Sequence, residues 1–592
     1  MTVVGFDFGT TNSLVSVVVG GRVIDVTNGE DGGRPYPSVV KYEGERVVVG
    51  REAQASLDAV GIGIHGDVVK SPKFLLGQEV VSVGGVDRSP VDIVSHVVKH
   101  VRAESLRSAR KEDLGNLDQA VVTIPVTMDG ERRAALREAF ASAGISITQF
   151  VHEPLAALYG FIRSAPDSAE MARRLAKRNV LVVDWGGGTL DLTLCRIDES
   201  EIRQLRNGGS DSIGGDEFDK VIRDEVVARF RAQSEIASSD AAIREAELRL
   251  LQDAEMHKVE LSGEIEKATF YRGGYFESGS ALHYSLSRQE LDEFTRPLIS
   301  AGIREIESLL DSLSMAVGQV SMCIVVGGMA AMPAIRARLH AMFGPDRVRV
   351  PANSATLISQ GAAWIAKDQQ RLRLAKPIEL ELARGSRIPL LAAGTEMPLG
   401  GSSSTEVLHL YCADPTDGVA KFPVVTPTAL SPKPRASEPR TALGMLAVDV
   451  DVTAPPLHER LALKVELDDD LVLSLEASSS RTGDRASDSY FDLEFGLELP
   501  STGLDEALSD PEQQDVRAAE VPTGLVIRAN LTDDKKDQAA VPGDVLYEHN
   551  SAAFARHARP GVTEDQLTEH LYYQPCAVCK RPWGAPECRC GS

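Results

Sequence analysis

Two short stretches, Asp7-Phe8-Gly9-Thr10-Thr11-Asn12-Ser13 and Asp184-Trp185-Gly186-Gly187-Gly188-Thr189-Leu190-Asp191, constrain this chain more than anything else in it. Each closes a β-prone apolar run, Val3-Val4-Gly5-Phe6 or Val180-Leu181-Val182-Val183, and leads into another, Leu14 to Val19 or Leu192 to Ile197. A strand, an acid, a few small residues and a second strand predict a tight hairpin. Glycine tolerates positive φ and has no side chain in the way, so the backbone N–H groups of such a hairpin can approach phosphate oxygens closely. The aspartate beside it stands where a hydrated Mg²⁺ would bridge the phosphates. One Gly-rich turn on its own is usually only a turn. Two copies in one chain predict duplicated lobes that clamp a nucleotide from both sides.

At 592 residues the chain is too long for a single core, and length alone suggests roughly four domains. Hydrophobic residues at 43% and charged ones at 25% fit a soluble globular protein. A net charge of −23 opposes general nucleic-acid binding. The N-terminus runs straight into a strand without a basic, apolar leader, and no apolar run reaches the ~18 residues of a spanning helix. We therefore expect a cytoplasmic protein, monomeric, with neither membrane nor nucleic acid as partner. Cys195, Cys323 and Cys412 are scattered and read as buried small hydrophobes, whereas the other four cysteines crowd the C-terminus.

Over residues 1–366 strands alternate with amphipathic helices, as in an α/β fold with covered sheets. Residues 216–290 are charge-rich and helical before turning strand-like, which reads as an inserted subdomain. From 367 to 498 the pattern alternates with period two, in Ile378 to Leu382, Val407 to Tyr411, Leu461 to Leu467 and Leu471 to Glu476. That predicts an antiparallel β domain with one solvated face. A Pro/Ser/Thr-rich stretch, Pro423 to Pro439, is expected to interrupt it as a loop. Residues 499–541 are acidic and unpatterned and read as linker, leaving 542–592 as a small terminal region.

Three further pieces fit a nucleotide site. Val326-Gly327-Gly328-Met329 ends a strand with a diglycine, a floor for an adenosine. Ile213-Gly214-Gly215-Asp216 opens a helix whose first N–H groups would favour an anion. His152-Glu153-Pro154 puts an acid at a helix start. In this order and spacing, with the two hairpins, the chain resembles the actin-like ATPase superfamily and, within it, the heat-shock protein 70 (DnaK-like) chaperones. The resemblance covers about the first 366 residues.

It implies that Asp7 and Asp184 hold the hydrated Mg²⁺. Gly9, Thr10 and Thr11, with Asn12 alongside, would wrap one face of the ATP or ADP phosphates, and Gly186, Gly187, Gly188 and Thr189 the other. Lys73 matches the family's catalytic lysine, with Lys70 as a rival for the role, and Glu153 and Asp191 match the acids that orient water and metal. Gly214, Gly215, Asp216, Gly327, Gly328 and Met329 would line the nucleotide. Glu255, Lys258 and Ser262 share one helix face where the family contacts ribose and base. The same pocket departs from the family at Val259, Met329 and Ala331, and Ala355 stands where an acid is expected near the metal; the phosphate chemistry reads as intact and nucleotide affinity or base selectivity as altered. Pro125 and Arg133 match the family's relay positions.

Ile378 to Leu382, Arg387 to Leu391 and Leu463 to Asp468 resemble a degenerate substrate-binding β-sandwich of that family, without its leucine-rich connector at Leu372 to Lys376 and without its helical lid. Cys576-Ala577-Val578-Cys579 and Cys588-Arg589-Cys590 can place four thiolates around a structural zinc. Together these features imply an ATP-dependent chaperone-like ATPase that binds a polypeptide client or a dedicated partner, with a co-chaperone or nucleotide-exchange factor. The alternatives are a nucleotide-sensing scaffold with little turnover and a small-molecule kinase of the same superfamily.

Overall fold

A computed structural model describes residues 3–26, 35–55, 63–111, 116–198, 200–263, 265–383, 386–430, 435, 437–500 and 545–547. The four C-terminal cysteines and nearly all of the expected linker lie outside the described residues. The chain divides into two compact units, residues 1–371 with 497–500, and residues 372–496 with 501–592.

In the first unit each hairpin sits at the centre of its own sheet. Val3–Phe8 pairs antiparallel with Asn12–Val19 and parallel with Gln119–Ile124, setting Asp7 opposite both Leu14 and Thr123. Arg178–Trp185 repeats the arrangement between Leu190–Ile197 and Val320–Val326, with Asp184 opposite Asp191 and Val326. Both acid-bearing strands are covered on both faces, which is why they read as continuous apolar runs; Val180, Leu181, Val182 and Val183 are all fully buried. Helices Glu153–Arg163 and Leu357–Lys367 cross at a point that needs glycine on both sides. A Cβ at Gly361 would stand 1.8 Å from the Ala156 carbonyl oxygen, and one at Gly160 2.8 Å from that of Leu357.

The inserted segment contains helices Gly215–Gln233 and Arg244–Ser262 and the hairpin of Lys267–Arg272 with Leu282–Ser287. A capping box of Ser287 and Glu290 then starts the helix Arg288–Ser312. The first unit runs to Arg371 rather than stopping at 366. The turn after Lys367 is still bonded back, with Gln370 N–H donating to the Ile365 carbonyl at 3.1 Å and the Gln149 amide to that of Gln370 at 3.2 Å.

The second unit is antiparallel. One sheet runs Arg387–Leu391, Ile378–Glu381, Val419–Pro427, Arg440–Asp449; another runs Arg485–Tyr490, Leu473–Ser479, Arg460–Asp468, Ser403–Cys412, Val545–Tyr547. Leu461, Leu463, Val465 and Leu467 are buried while their neighbours are half exposed, as the period-two pattern requires. Two expectations need correction. The loop expected from Pro423 begins later, because Pro423 to Pro427 belong to a strand whose Phe422 and Val424 are fully buried; that core face outweighs the missing N–H of proline. The strand expected from Leu471 starts at Leu473, since the Asp468 carboxylate accepts the N–H groups of Asp470 and Val472 and turns Leu471 to φ 62°.

Leu372 to Lys376 is built into this unit. Arg373 and Leu374 pair with Gly496 and Phe495, and Leu374 N–H donates to the Thr395 carbonyl at 2.9 Å on the other side. Leu372 and Leu374 are buried, and Lys376 forms a buried ion pair with Glu494 at 3.3 Å.

Candidate active site

The two hairpins face one cleft of about 320 Å³. Gly9, Thr10, Thr11 and Asn12 line it from one lobe, and Gly186, Gly187, Gly188 and Thr189 from the other. The loops approach this closely only because side chains are missing where they meet. A Cβ at Gly187 would stand 2.3 Å from the Thr11 hydroxyl, and one at Gly188 2.8 Å from the Phe74 ring.

Carboxylates converge beneath them. Asp7, Asp184 and Glu153 line the cleft. The Thr123 hydroxyl donates to Asp7 at 2.9 Å, and Asp191 accepts Val126 N–H at 3.1 Å and the Thr189 hydroxyl at 2.7 Å. Burial, then the charge of Glu153, pushes the Asp7 and Asp191 carboxyls up to about 7 and holds Asp184 well above the usual range. The opposing charge is Lys73. It sits in the single turn Pro72–Leu75, which follows Ser71 in the left-handed region, and it donates to Glu153 Oε1 at 3.0 Å with both side chains buried. Acids that keep their protons this strongly form a site short of positive charge. Their oxygen donors suit a hard cation such as Mg²⁺, which needs only one or two carboxylates beside water and phosphate oxygens. Among the described residues no group of three or more His, Cys, Asp or Glu closes into a protein-only metal cage.

The other expected residues fall into two sets. Gly327, at φ +82°, makes room for the end of the strand bearing Asp184: a Cβ there would stand 2.4 Å from the Trp185 carbonyl oxygen and 2.5 Å from Asp184 Oδ1. Gly328 and Met329 line the cleft, and the Met329 sulfur lies close to Gly215. Gly214 and Gly215 press on the second hairpin, but the helix start does not aim its first N–H groups at an anion as expected. Gly215 and Asp216 donate theirs to the Gly186 and Gly187 carbonyls at 3.1 and 2.7 Å, satisfying those helix-end donors and bracing the loop. Glu255 and Lys258 line the cleft. Lys258 is anchored to Asp219 at 2.8 Å and to the Gly215 carbonyl at 3.0 Å. Ser262 turns back on its own helix, donating to the Lys258 carbonyl at 2.8 Å, and is not part of the wall.

Lys70, the rival of Lys73, is instead held by Glu255 at 3.2 Å, with Asp216 at 3.8 Å. The sequence reading missed Thr123, Val126 and Asp219 as supports of Asp7, Asp191 and Lys258. Only Asp219 had a signal, one helical turn beyond Gly215; the other two depend on strand neighbours distant in sequence.

Two lobes of related sheet topology around a glycine-walled, acid-floored cleft define an actin-like nucleotide-binding ATPase. The family model described as Hsp70 protein matches residues 3–371. The chain belongs to the Hsp70 family, and as the resemblance implied it is an ATP-dependent ATPase of the chaperone class. It is similar to Chaperone protein DnaK of Deinococcus radiodurans, 27% identical over 86% of this chain and 82% of that protein. It is also similar to Chaperone protein DnaK of Mycoplasmopsis agalactiae, 24% identical over 94% and 90%. To Chaperone protein DnaK of Mycoplasma mycoides it is 27% identical over 61% of this chain and 58% of that one.

Proposed function

We propose that the chain hydrolyses Mg-ATP in this cleft and couples the nucleotide to binding of a polypeptide by the β-rich unit. The observation that carries this reading is the buried Lys73–Glu153 pair, whose charges act on Asp7, Asp184 and Asp191, with Glu153, Asp7 and Asp184 lining the cleft between the two glycine hairpins. Phosphoryl transfer needs positioning and charge neutralisation more than covalent chemistry. Lys73 steadies the transferring phosphate, Glu153 and Asp191 orient the attacking water, and the hairpin backbones hold the remaining phosphate oxygens. Asp7 and Asp184 would hold Mg²⁺, which supplies charge neutralisation at the phosphates when bound.

The nucleotide-binding domain is assigned to residues 1–371, and the period-two strands of 372–496 to a β-sandwich that receives the client, with a co-chaperone or exchange factor acting on the ATPase. The terminal cysteines would hold one structural zinc. Among the described residues no helix is long and apolar enough to cross a membrane; the bacterial DnaK relatives favour a cytoplasmic place for the chain, and we take it as a monomer. Steady-state ATP hydrolysis by the full chain, with and without an unfolded peptide, tests the proposal. Turnover that Mg²⁺ chelation abolishes and peptide changes is expected; phosphate transfer to a sugar or polyol in place of water would overturn it.

A further inference from the structure

We infer that the base end of the cleft selects its nucleotide by apolar contact and not by hydrogen bonding, so that the site accepts GTP alongside ATP. The inference rests on the nucleotide reading above. Beyond the phosphate hairpins the walls include Val259, Met329 and Ile358, all without a hydrogen-bonding side chain. Met329 is 5% exposed, with its sulfur wedged near Gly215 and Lys258, so it forms a fixed wall that a purine face can lie against.

The ionisable groups nearby are already oriented. One Glu255 oxygen accepts from Lys70, and Lys258 is held by Asp219 and the Gly215 carbonyl. The family resemblance places Glu255 and Lys258 where ribose and base are contacted, and the ribose hydroxyls are common to ATP and GTP. The Ser262 hydroxyl is committed to its own helix. Ser354 adds a hydroxyl to the lining, but a hydroxyl both donates and accepts. It therefore serves the amino group and ring nitrogen of adenine as well as the carbonyl and N–H of guanine. An apolar pocket rejects a near-isostere weakly, by ~10²-fold at most, whereas a pocket built on fixed hydrogen bonds reaches ~10⁴-fold.

Calorimetric titration of the full chain with Mg-ATP, Mg-GTP and Mg-tripolyphosphate tests this. ATP and GTP should bind within about a hundredfold of each other. Met329→Ala, and separately Val259→Ala at a position 65% exposed and free to vary without disturbing the core, should weaken both nucleotides in parallel and leave tripolyphosphate unchanged. A preference for ATP beyond about a hundredfold, or a variant that loses ATP alone, would overturn the inference while leaving the phosphate site standing. Failure of all three ligands to bind would overturn the nucleotide reading and this inference with it.

Discussion

Lys73 and Lys70 lie three residues apart in one lysine-bearing segment, and sequence alone left them as rivals. Their partners separate them. Lys73 stands against Glu153 among the aspartates, whereas Lys70 bridges to Glu255 and Asp216. Lys73→Ala is expected to remove hydrolysis while leaving ATP binding within several-fold, read by single-turnover hydrolysis and calorimetry on one preparation; loss of turnover in Lys70→Ala instead would reverse the assignment.

The acids make a pH prediction. Asp7 and Asp191 titrate near 7 because burial and Glu153 oppose their charge, so below that pH they hold protons that a cation must displace. Mg-ATP binding should therefore tighten as pH rises from 6 to 8 and release protons, more strongly in the wild type than in Asp7→Asn. Titrations in two buffers of different ionisation enthalpy would show it, and an equal pH slope in the two proteins would count against Asp7 as a metal ligand. The phosphate hairpins were legible because their chemistry lies in consecutive residues. Thr123 was not, because what places it beside Asp7 is strand register.

At the scale of elements, the strands and long helices of the first unit follow from apolar period and caps, with ends shifted by a few residues. The helix that Ile213-Gly214-Gly215-Asp216 was expected to open runs Gly215–Gln233, with Gly214 as its N-cap. The misplaced ends came from side-chain-driven turns such as that of Asp468, and from prolines at strand positions where burial outweighs ladder bonds. Leu372 to Lys376 is the consequential element. Its leucines are buried and its backbone is bonded to both Thr395 and Glu494, so releasing it would break hydrogen bonds on two sides and strand the Lys376–Glu494 pair. The amides of Leu374 and Ala375 should thus be strongly protected from hydrogen exchange, and equally so with ATP and with ADP, so that the proposed effect of nucleotide on peptide binding does not run through release of this connector. Nucleotide-dependent deprotection would show a connector that cycles.

For the whole molecule, the first unit was readable because five motifs kept their order along it, and the second only as alternation, which gives sheets but not their client. Between them the described cysteines, Cys195, Cys323 and Cys412, are free and buried, as their scattered positions implied. The four terminal cysteines differ in kind: two close pairs around Lys580-Arg581-Pro582-Trp583-Gly584, in a chain whose other thiols are unpaired. Closely spaced thiolate pairs suit tetrahedral zinc, and in so short a segment the bound metal supplies the folding energy. The purified chain should carry one equivalent of zinc, and Cys579→Ser should abolish it. A zinc-selective chelator used with Mg²⁺ in excess should deprotect residues 570–592 in hydrogen exchange while Mg-ATP hydrolysis continues at its former rate, because the residues described as lining the cleft all fall between Asp7 and Ile358. A metal-free chain prepared in zinc-replete, reducing medium, with those residues still protected, would rule zinc out and turn attention to disulfides.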